Sequence, residues 1–455
     1  MRVKLDIPLS IYEICAAINT SLPPVINSNI PITHICTDTR ECQESDLFIA
    51  LPGENDSGEK YIDEAISRKC FVISQSHKRG VIHVDDTIEA ILGLTTAYKS
   101  MIAPKHTVAI TGSVGKSTTV KFTSTILKQK FHVHSTIENY NNHIGVPLTV
   151  FAMPKNTEVL VCELGMNHRG EISRLSRAVN PDIAAITTIG TAHIGNLGSR
   201  EEIAKAKLEI IDGMHGGSIL LPFSEPLLSN INGALYVERG SSLSHFSLND
   251  IDSGEYSYFS PSKSIYGISF FDNREHLLID LSFALAIADL LNLTQKEMLD
   301  GVNTIKESCL RQRFIDVDDF TIFDDSYNAS LESISADLKF ISSLNRPCGA
   351  FLGDVLELGS NSGEIHEMIG TITARLHIGR LYLYGKYAEH IAYGALKEGM
   401  NKESIFINSD ISSPELSVEQ IYRHHTPGEI ILFKASHKLR LDKIADLIKS
   451  ERNKQ

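Results

Sequence analysis

Hydrophobic positions change rhythm twice along the chain. In the first hundred residues they gather in short runs, ITHICT, DLFIAL and CFVIS, broken by the Gly/Asn/Asp-rich LPGENDSGEK. That is the pattern of short strands in a small α/β unit. From about Lys105 strand-like and helix-like segments alternate: HTVAIT, a helix from Lys116, EVLVCEL, DIAAITTI, a helix through EEIAKAKLEIIDGM, then SILLP. Short β-rich runs joined through helices predict a parallel sheet with helices on both faces. A second alternation follows LRQRF (310–314), with strands at FTIFDD, GAFLGD, RLYLYG, SIFIN and EIILFKA and a last helix from Arg440. It predicts a doubly wound, Rossmann-like unit. The expected architecture is therefore α/β in three domains, 1–104, 105–310 and 311–455, with no repeat of fixed period.

A chain of 455 residues has ample length for three such domains. The formal charge of -13 leaves no basic surplus for nucleic acid or an anionic membrane, while a local basic pocket for a small anion stays compatible with it. No apolar run approaches membrane-spanning length, and MRVKLDIPLS lacks the apolar core of a signal peptide. Seven scattered cysteines without a C-x-x-C pair read as reduced thiols of a cytoplasmic protein. The absence of a heptad seam predicts a monomer.

The stretch TGSVGKSTT (111–119) follows the apolar run HTVAI. A strand that ends in TGSVG and turns into a helix at KSTT aims backbone N–H groups and a helix N-terminus at one point, which suits a polyphosphate. Gly112, Ser113 and Gly115 shape that turn, Lys116 adds a positive charge, Ser117 offers a hydroxyl to Mg²⁺, and Thr118 continues the first helical turn. The longer G-x-x-x-x-G-K-[ST] pattern is not met, because Ile110 stands where its first glycine belongs. The central unit is thus expected to be a P-loop ATPase-like sheet.

Glu163 closes the strand EVLVCEL, and His193 follows DIAAITTI in GTAHIGNLGS. Strand C-termini line the crevice of an open α/β sheet, so both are placed to face the phosphate loop and to bind a divalent cation. In SREEIAKAKLEI, Lys205 fits a solvated helix face beside Glu201, Glu202 and Glu209, whereas spacing alone does not decide Lys207. FDDSYNAS (323–330) and GDVLELG (353–359) close strands of the third unit with carboxylates and an Asn, residues common in sites and in plain turns alike.

Taken together, these motifs resemble the Mur ligase family, ATP-dependent amide-forming enzymes of peptidoglycan precursor assembly. The family's short loop T-G-[ST]-x-G-K-[ST] is met at every position by TGSVGKS. THICTDTRECQESDLFIALPGENDSGEKYIDEAI is similar to its uridine-nucleotide-binding front region. ENYNNHIGVPLT, ELGMNHRGEI, TTIGTAHIGNLGSREEIAKAKLEI, DDSYNAS and FLGDVLELG are similar to the branch that adds D-alanyl-D-alanine to UDP-N-acetylmuramoyl-tripeptide. The D-N-P-R sequence of the preceding, diaminopimelate-adding branch is absent. The resemblance implies ATP and two Mg²⁺ ions as cofactors, those two substrates, and an acyl-phosphate mechanism. It implies that Lys116 and Ser117 bind phosphates and the first Mg²⁺, that Glu163 and His193 hold magnesium, and that Lys207 is carbamylated to become an anionic ligand. Asn139 and Asn142 fall near the uridylated substrate and the γ-phosphate; Arg313, Asp325, Tyr327 and Asn328 fall at the nucleotide when the third domain closes; Thr37, Asp38 and Arg40 fall in the uridine-nucleotide site.

Four stretches depart from the family pattern. Asp280, in REHLLIDLSFALAIA, stands where an Asn approaches adenine; PFSEP replaces N-A-D-D-P; DDSYNASL replaces D-D-S-Y-N-A-N-P; and KASH (434–437) replaces K-G-S-R, losing a guanidinium. Two alternatives follow. One is a related ligase with another carboxylate or amine, as in folylpolyglutamate or cyanophycin synthetases; the other is a non-catalytic nucleotide-binding relative. The uridine-type front domain weighs against the first. The joint presence of Lys116, Ser117, Glu163, His193 and Lys207 weighs against the second.

Overall fold

The structure is a computed structural model that describes residues 1–24, 30–53, 56–252, 254–306 and 312–452. Residues 307–311, where the second expected boundary falls, lie outside the described residues.

Three sheets form among the described residues. The first holds β1 (Arg2–Ser10), β2 (Pro31–Cys36), β3 (Leu47–Ile49), β4 (Phe71–Ser74) and β5 (Val81–His83) in that order. Its first pair is antiparallel and the rest are parallel. The helix Thr87–Ile102, capped by Asp86 through the N–H groups of Ile88 and Glu89, leads into the second sheet.

The second sheet contains β6 (His106–Thr111), β7 (Val133–Ser135), β8 (Val159–Glu163), β9 (Ile183–Ile186), β10 (Ser218–Pro222), β11 (Leu235–Arg239), β12 (Phe246–Asp252), β13 (Glu255–Phe259) and β14 (Ser264–Ser269). Its order is β14-β13-β12-β11-β10-β9-β6-β8-β7. The chain leaves β6 for the edge, returns through β8 on one side, and then crosses to β9 on the other. That reversal opens a crevice at the C-terminal ends of β6, β8 and β9. Burial of both faces explains the continuous apolar centre of β6, Val108–Ile110, since successive side chains point to opposite sides. Val108 and Ile110 pack under the helices Lys116–Leu127 and Glu275–Leu290, whereas Ala109 faces a core shared with the first sheet. Strand β12 joins β11 in parallel, and β13 and β14 then extend the sheet antiparallel, with register shifts at Asp250/Asp252 and Tyr256/Tyr258. The hydrophobic rhythm does not announce this extension: β14 buries only Ile265 and Ile268, and Ser, Gly and Asp interrupt the run.

The third sheet holds β15 (Arg313–Val317), β16 (Phe320–Asp324), β17 (Cys348–Gly353), β18 (Arg380–Tyr384), β19 (Ile405–Asn408) and β20 (Ile430–Lys434), ordered β15-β16-β20-β17-β18-β19. Only β15 runs antiparallel to its neighbour. Helices cover both faces over two apolar layers, one around Leu352 and Leu432 and the other around Phe351 and Phe433. Among the described residues no helix is long and apolar enough to cross a membrane.

Candidate active site

The phosphate-loop stretch leaves β6 at Thr111 and is fastened to the turn after β9. Ser113 N–H donates to the Thr188 carbonyl at 2.9 Å, Val114 N–H donates to Thr188 Oγ1 at 2.9 Å, and Gly190 N–H donates to Ser113 Oγ at 2.9 Å. Gly115 adopts φ 88°, and a Cβ there would lie 2.3 Å from Asp280 Oδ1, so only glycine fits. The helix Lys116–Leu127 begins at Gly115 without a side-chain cap, leaving its N-terminus open to an anion. Lys116 Nζ folds back to donate to the Gly112 carbonyl at 2.9 Å.

Parallel pairing sets Glu163 beside Ile110. Its carboxylate is buried and held from two sides: Ser117 Oγ donates to Oε2 at 2.6 Å and Asn141 Nδ2 donates to Oε1 at 2.7 Å. His193 takes a left-handed backbone, φ 65°, at the head of the short helix Ile194–Leu197, and its Nδ1 lies 2.5 Å from Glu357 Oε2 of the third unit. This hydrogen bond holds the Glu357 carboxyl below its ordinary range. Lys207 is buried at 2 % exposure in the helix Arg200–Leu208. Among the described residues its ammonium has no hydrogen-bond or ion-pair partner. Burial first, then the nearby charge of Lys116, pushes its pKa well below the ordinary value, which favours a neutral amine.

The third unit closes the crevice from the opposite side. Glu332 accepts from Thr191 N–H at 2.7 Å, and the Glu357–Gly359 stretch meets Gly195, whose N–H donates to the Glu357 carbonyl at 2.9 Å. Asp325 follows β16 and pairs with buried Lys434 at the end of β20; Lys434 also lies 2.8 Å from Asp337. Gln312 spans both carboxylates, at 3.3 Å from Asp325 and 2.9 Å from Asp337. Burial works to raise the pKa of Asp325, but Lys434 and the hydrogen bonds outweigh it and keep the carboxylate ionised. Burial pushes Asp337 up to about 7. Arg274, ahead of the helix Glu275–Leu290, stacks on Phe340 at 4.8 Å and hydrogen-bonds Gln312, tying the two units together.

These groups share one cavity of about 550 Å³. Of the residues singled out by sequence, Gly112, Ser113, Gly115, Lys116, Ser117, Thr118, Asn139, Asn142, Glu163, His193, Lys207, Asp280, Asp325, Tyr327 and Asn328 line it. Arg313 does not; it is exposed at the start of β15, paired in register with Asp324. Thr37, Asp38 and Arg40 lie elsewhere, in the turn after β2. There the exposed Arg40 guanidinium grips Asp38 and lowers its carboxyl to about 2.

Asn141, Gln312, Asp337 and Lys434 also reach the cavity and were not picked out by sequence reasoning. In NYNNH, Asn142 spends its side-chain oxygen on the N–H groups of Ile144 and Gly145, leaving Asn141 to hold Glu163. Asp337 had a legible signal: it fills one slot of the stripe Ile334, Asp337, Leu338, Ile341, where an apolar residue is the ordinary choice. Asp280 is buried, accepts from Thr119 Oγ1 at 3.0 Å, and is pushed well above the carboxylate range by burial. Its neutral form presents a carbonyl and a hydroxyl beside the loop, close in shape and polarity to the amide of an Asn.

Among the described residues no three His, Cys, Asp or Glu side chains gather to hold a metal by themselves. Ser117 and Glu163 still suit Mg²⁺, which retains waters and substrate phosphates as ligands and asks only one or two carboxylates of the protein.

A doubly wound ATPase-like sheet facing a second α/β unit across a shared anion site defines a class of nucleotide-dependent ligases, and comparison with known proteins agrees. The Mur ligase middle domain matches residues 110–277. The chain is 34% identical to UDP-N-acetylmuramoyl-tripeptide--D-alanyl-D-alanine ligase of Bacillus subtilis, over 91% of this chain and 93% of that protein. It is 29% identical to the ligase of the same name from Synechocystis, over 97% and 98% of the two chains. The crystal structure of MurF from Acinetobacter baumannii superposes with a TM-score of 0.88 at 25% identity, covering 98% of this chain and 100% of that one. MurF of Thermotoga maritima in complex with ADP shares the fold, with a TM-score of 0.79 at 24% identity over 92% and 98% of the chains. The chain belongs to the Mur ligase family, with the three-domain α/β fold of that family.

Proposed function

We propose that this protein joins the carboxylate of UDP-N-acetylmuramoyl-tripeptide to the amine of D-alanyl-D-alanine, using ATP and releasing ADP and phosphate. The observation that carries the reading is the shared cavity: the phosphate loop with Glu163, His193 and Lys207 faces Asp325 and Lys434 across it. The breadth of the match to ligases of this name supports the same substrates.

The peptide carboxylate attacks the γ-phosphate of ATP; an O–P bond forms, ADP leaves, and an acyl phosphate results. Two unit charges about 4 Å apart repel by about 4 kcal/mol at an effective dielectric of about 20. Lys116 and the open helix N-terminus offset that repulsion and steady the transferring group. Ser117 and Glu163 would hold one Mg²⁺, with His193 and Lys207 at a second; the metal supplies charge neutralisation between phosphates and carboxylate. Lys207 suits the second role as a carbamate. Its neutral amine adds CO₂, an N–C bond forms and one proton leaves, converting the amine of a buried, cavity-lining lysine into an anionic oxygen ligand. The dipeptide amine then attacks the acyl carbon, the tetrahedral adduct expels phosphate, and an amide remains. Contacts of Glu332 with Thr191 and of Glu357 with His193 keep the third unit shut and water out.

In this reading residues 1–104 bind the uridine nucleotide through Thr37, Asp38 and Arg40, residues 105–310 carry ATP, and residues 311–455 close on it, while Arg313 stays outside the cavity in the closed arrangement. Asn139 and Asn142 border the acceptor. A working monomer belongs to the same reading. ATP as cosubstrate supports a cytoplasmic location.

The test is phosphate release from ATP and Mg²⁺ with UDP-N-acetylmuramoyl-tripeptide, with and without D-alanyl-D-alanine and beside a panel of other amines. Release that needs both named substrates, with the pentapeptide nucleotide seen by mass, is the expected result. Release with another amine only would move the nucleophile, and silence with every amine while ATP still binds would overturn the reading.

A further inference from the structure

A chain of polar contacts crosses from the central unit to the third at the edge of the cavity. It starts at Asp272, whose carboxylate accepts from Arg274 Nε at 2.9 Å and from Nη2 at 2.6 Å. Arg274 is buried, and the grip of Asp272 turns its fork so that Nη1 donates to Gln312 Oε1 of the third unit. A guanidinium only donates, so it must meet the amide oxygen, and the amide nitrogen is left to the two acids beyond. That nitrogen donates to Asp325 Oδ2 at 3.3 Å and to Asp337 Oδ1 at 2.9 Å. Lys434, the other donor to Asp325, also reaches Oδ2, which leaves Oδ1 for a ligand in the cavity. The Arg274 guanidinium further lies 4.8 Å from the centre of the Phe340 ring and 5.7 Å from that of Phe323, two residues before Asp325. Gln312, Asp325, Asp337 and Lys434 line the cavity, and Arg274 stands behind them.

We propose that Arg274 and Gln312 are positioning residues for the nucleotide: Arg274 of the central unit orients the Gln312 amide, and Gln312 sets Asp325 against the nucleotide when the two units are shut. The nucleotide end of this statement rests on the function proposed above. Lys434 lies in the same unit as Asp325 and stays with it whether the crevice is open or shut. An ammonium is a compact point charge, and the last torsion of an aspartate is soft, so this ion pair holds the charge without fixing the plane of the carboxylate. The directional N–H of Gln312 supplies that second constraint. Arg274 reaches the strand end that bears Asp325 twice, through Gln312 and through the Phe323 ring. Opening the crevice withdraws both contacts together, and the Gln312 amide loses the donor that orients it.

The choice of an amide at position 312 separates this role from that of a plain tether. A tether would be stronger with a glutamate there, paired with the Arg274 guanidinium as a charge-assisted contact. A glutamate has no N–H to give, and its charge would stand beside Asp325 and Asp337. The glutamine forgoes the stronger cross-unit pair and keeps a donor for each acid.

The experiment uses the full chain with Mg²⁺. Calorimetry measures binding of the non-hydrolysable β,γ-imido analogue of ATP and of UDP-N-acetylmuramoyl-tripeptide, and solution scattering reads domain closure. Gln312→Met keeps the length of a half-buried side chain and should weaken analogue binding about tenfold, the loss of one hydrogen bond to a charged group, with acceptor affinity unchanged. Arg274→Met should do the same, and the double variant should bind no worse than the weaker single one, because both act through one amide. Gln312→Glu should keep the units shut yet bind the analogue worse than Gln312→Met does. Parent-like binding by Gln312→Glu, a double variant whose loss is the product of the two single losses, or an equal fall in acceptor affinity would overturn the proposal. A parent that binds the analogue but ligates no amine would count against the substrate reading, and the variants' nucleotide affinities alone would then decide the positioning role.

Discussion

Consider Gly195→Ala. Gly195 is the second residue of the helix Ile194–Leu197, and alanine suits that position better than glycine by about 0.5–1 kcal/mol. The central unit should therefore fold at least as well as before. Across the crevice the change is severe: a Cβ on Gly195 would lie 2.4 Å from Gly359 N, 2.6 Å from the Glu357 carbonyl oxygen and 2.7 Å from Leu358 C. All three are backbone atoms, so no rotamer change relieves the contact, and the two units must part. Overpacking of this kind costs about 1–3 kcal/mol, which lowers the closed population by about 5- to 150-fold. The same displacement breaks the His193–Glu357 hydrogen bond. We expect kcat to fall about 10- to 100-fold. Binding of ATP to the phosphate loop should hold, and more phosphate should be released per amide formed as water reaches the acyl phosphate. Steady-state phosphate release beside product mass, together with solution scattering for domain separation, reads all of this. A kcat within about twofold of the parent, with unchanged coupling, would refute the link between this contact and catalysis.

Glu163→Gln keeps the shape of the side chain but removes the charge and replaces one of its two accepting oxygens with a donor, so activity should drop by about 100-fold or more, with a raised Mg²⁺ requirement in a metal titration. Lys434→Met leaves Asp325 and Asp337 buried without their cation and should destabilise the C-terminal unit by about 3–5 kcal/mol, read by urea unfolding. Asp280 has a folded pKa raised by burial, so its stabilising contribution is complete below the ordinary carboxylate value and is lost as pH rises toward the raised one. Asp280→Asn should abolish that loss, and a pH series of thermal unfolding in which parent and variant run parallel would contradict the burial argument.

The doubly wound core was legible because buried parallel strands leave continuous apolar runs, as in HTVAIT and EIILFKA, at spacings that only helices can bridge. The phosphate loop was legible for a different reason, since its chemistry is local: glycines, a lysine and a hydroxyl must follow one strand within a few residues. What escaped is what depends on distant chain segments. Lys434 and Asp337 lie 97 positions apart and meet only when β20 and the helix Leu331–Ser342 pack. The choice of Asn141 over its neighbours as the partner of Glu163 turns on which Asn is consumed by helix capping. Strands β12–β14 went unseen because their buried stretches are short and set Ser among the apolar residues, Phe246–Leu248 and Tyr256–Tyr258, while β14 buries two side chains.

The irregular flank of the central sheet bears on how this protein behaves in a crowded cell. An open row of unpaired N–H and C=O groups is a template on which another chain can add a strand. Here the two flanks are a three-residue strand, β7, and β14, whose pairing slips near Tyr256 and whose Gly267 turns to φ 69°. Neither offers a straight ladder of useful length. The broad parallel sheet that ATP chemistry requires is thereby finished at both sides in a form that discourages polymerisation, and high expression should yield dispersed protein rather than fibrous aggregate.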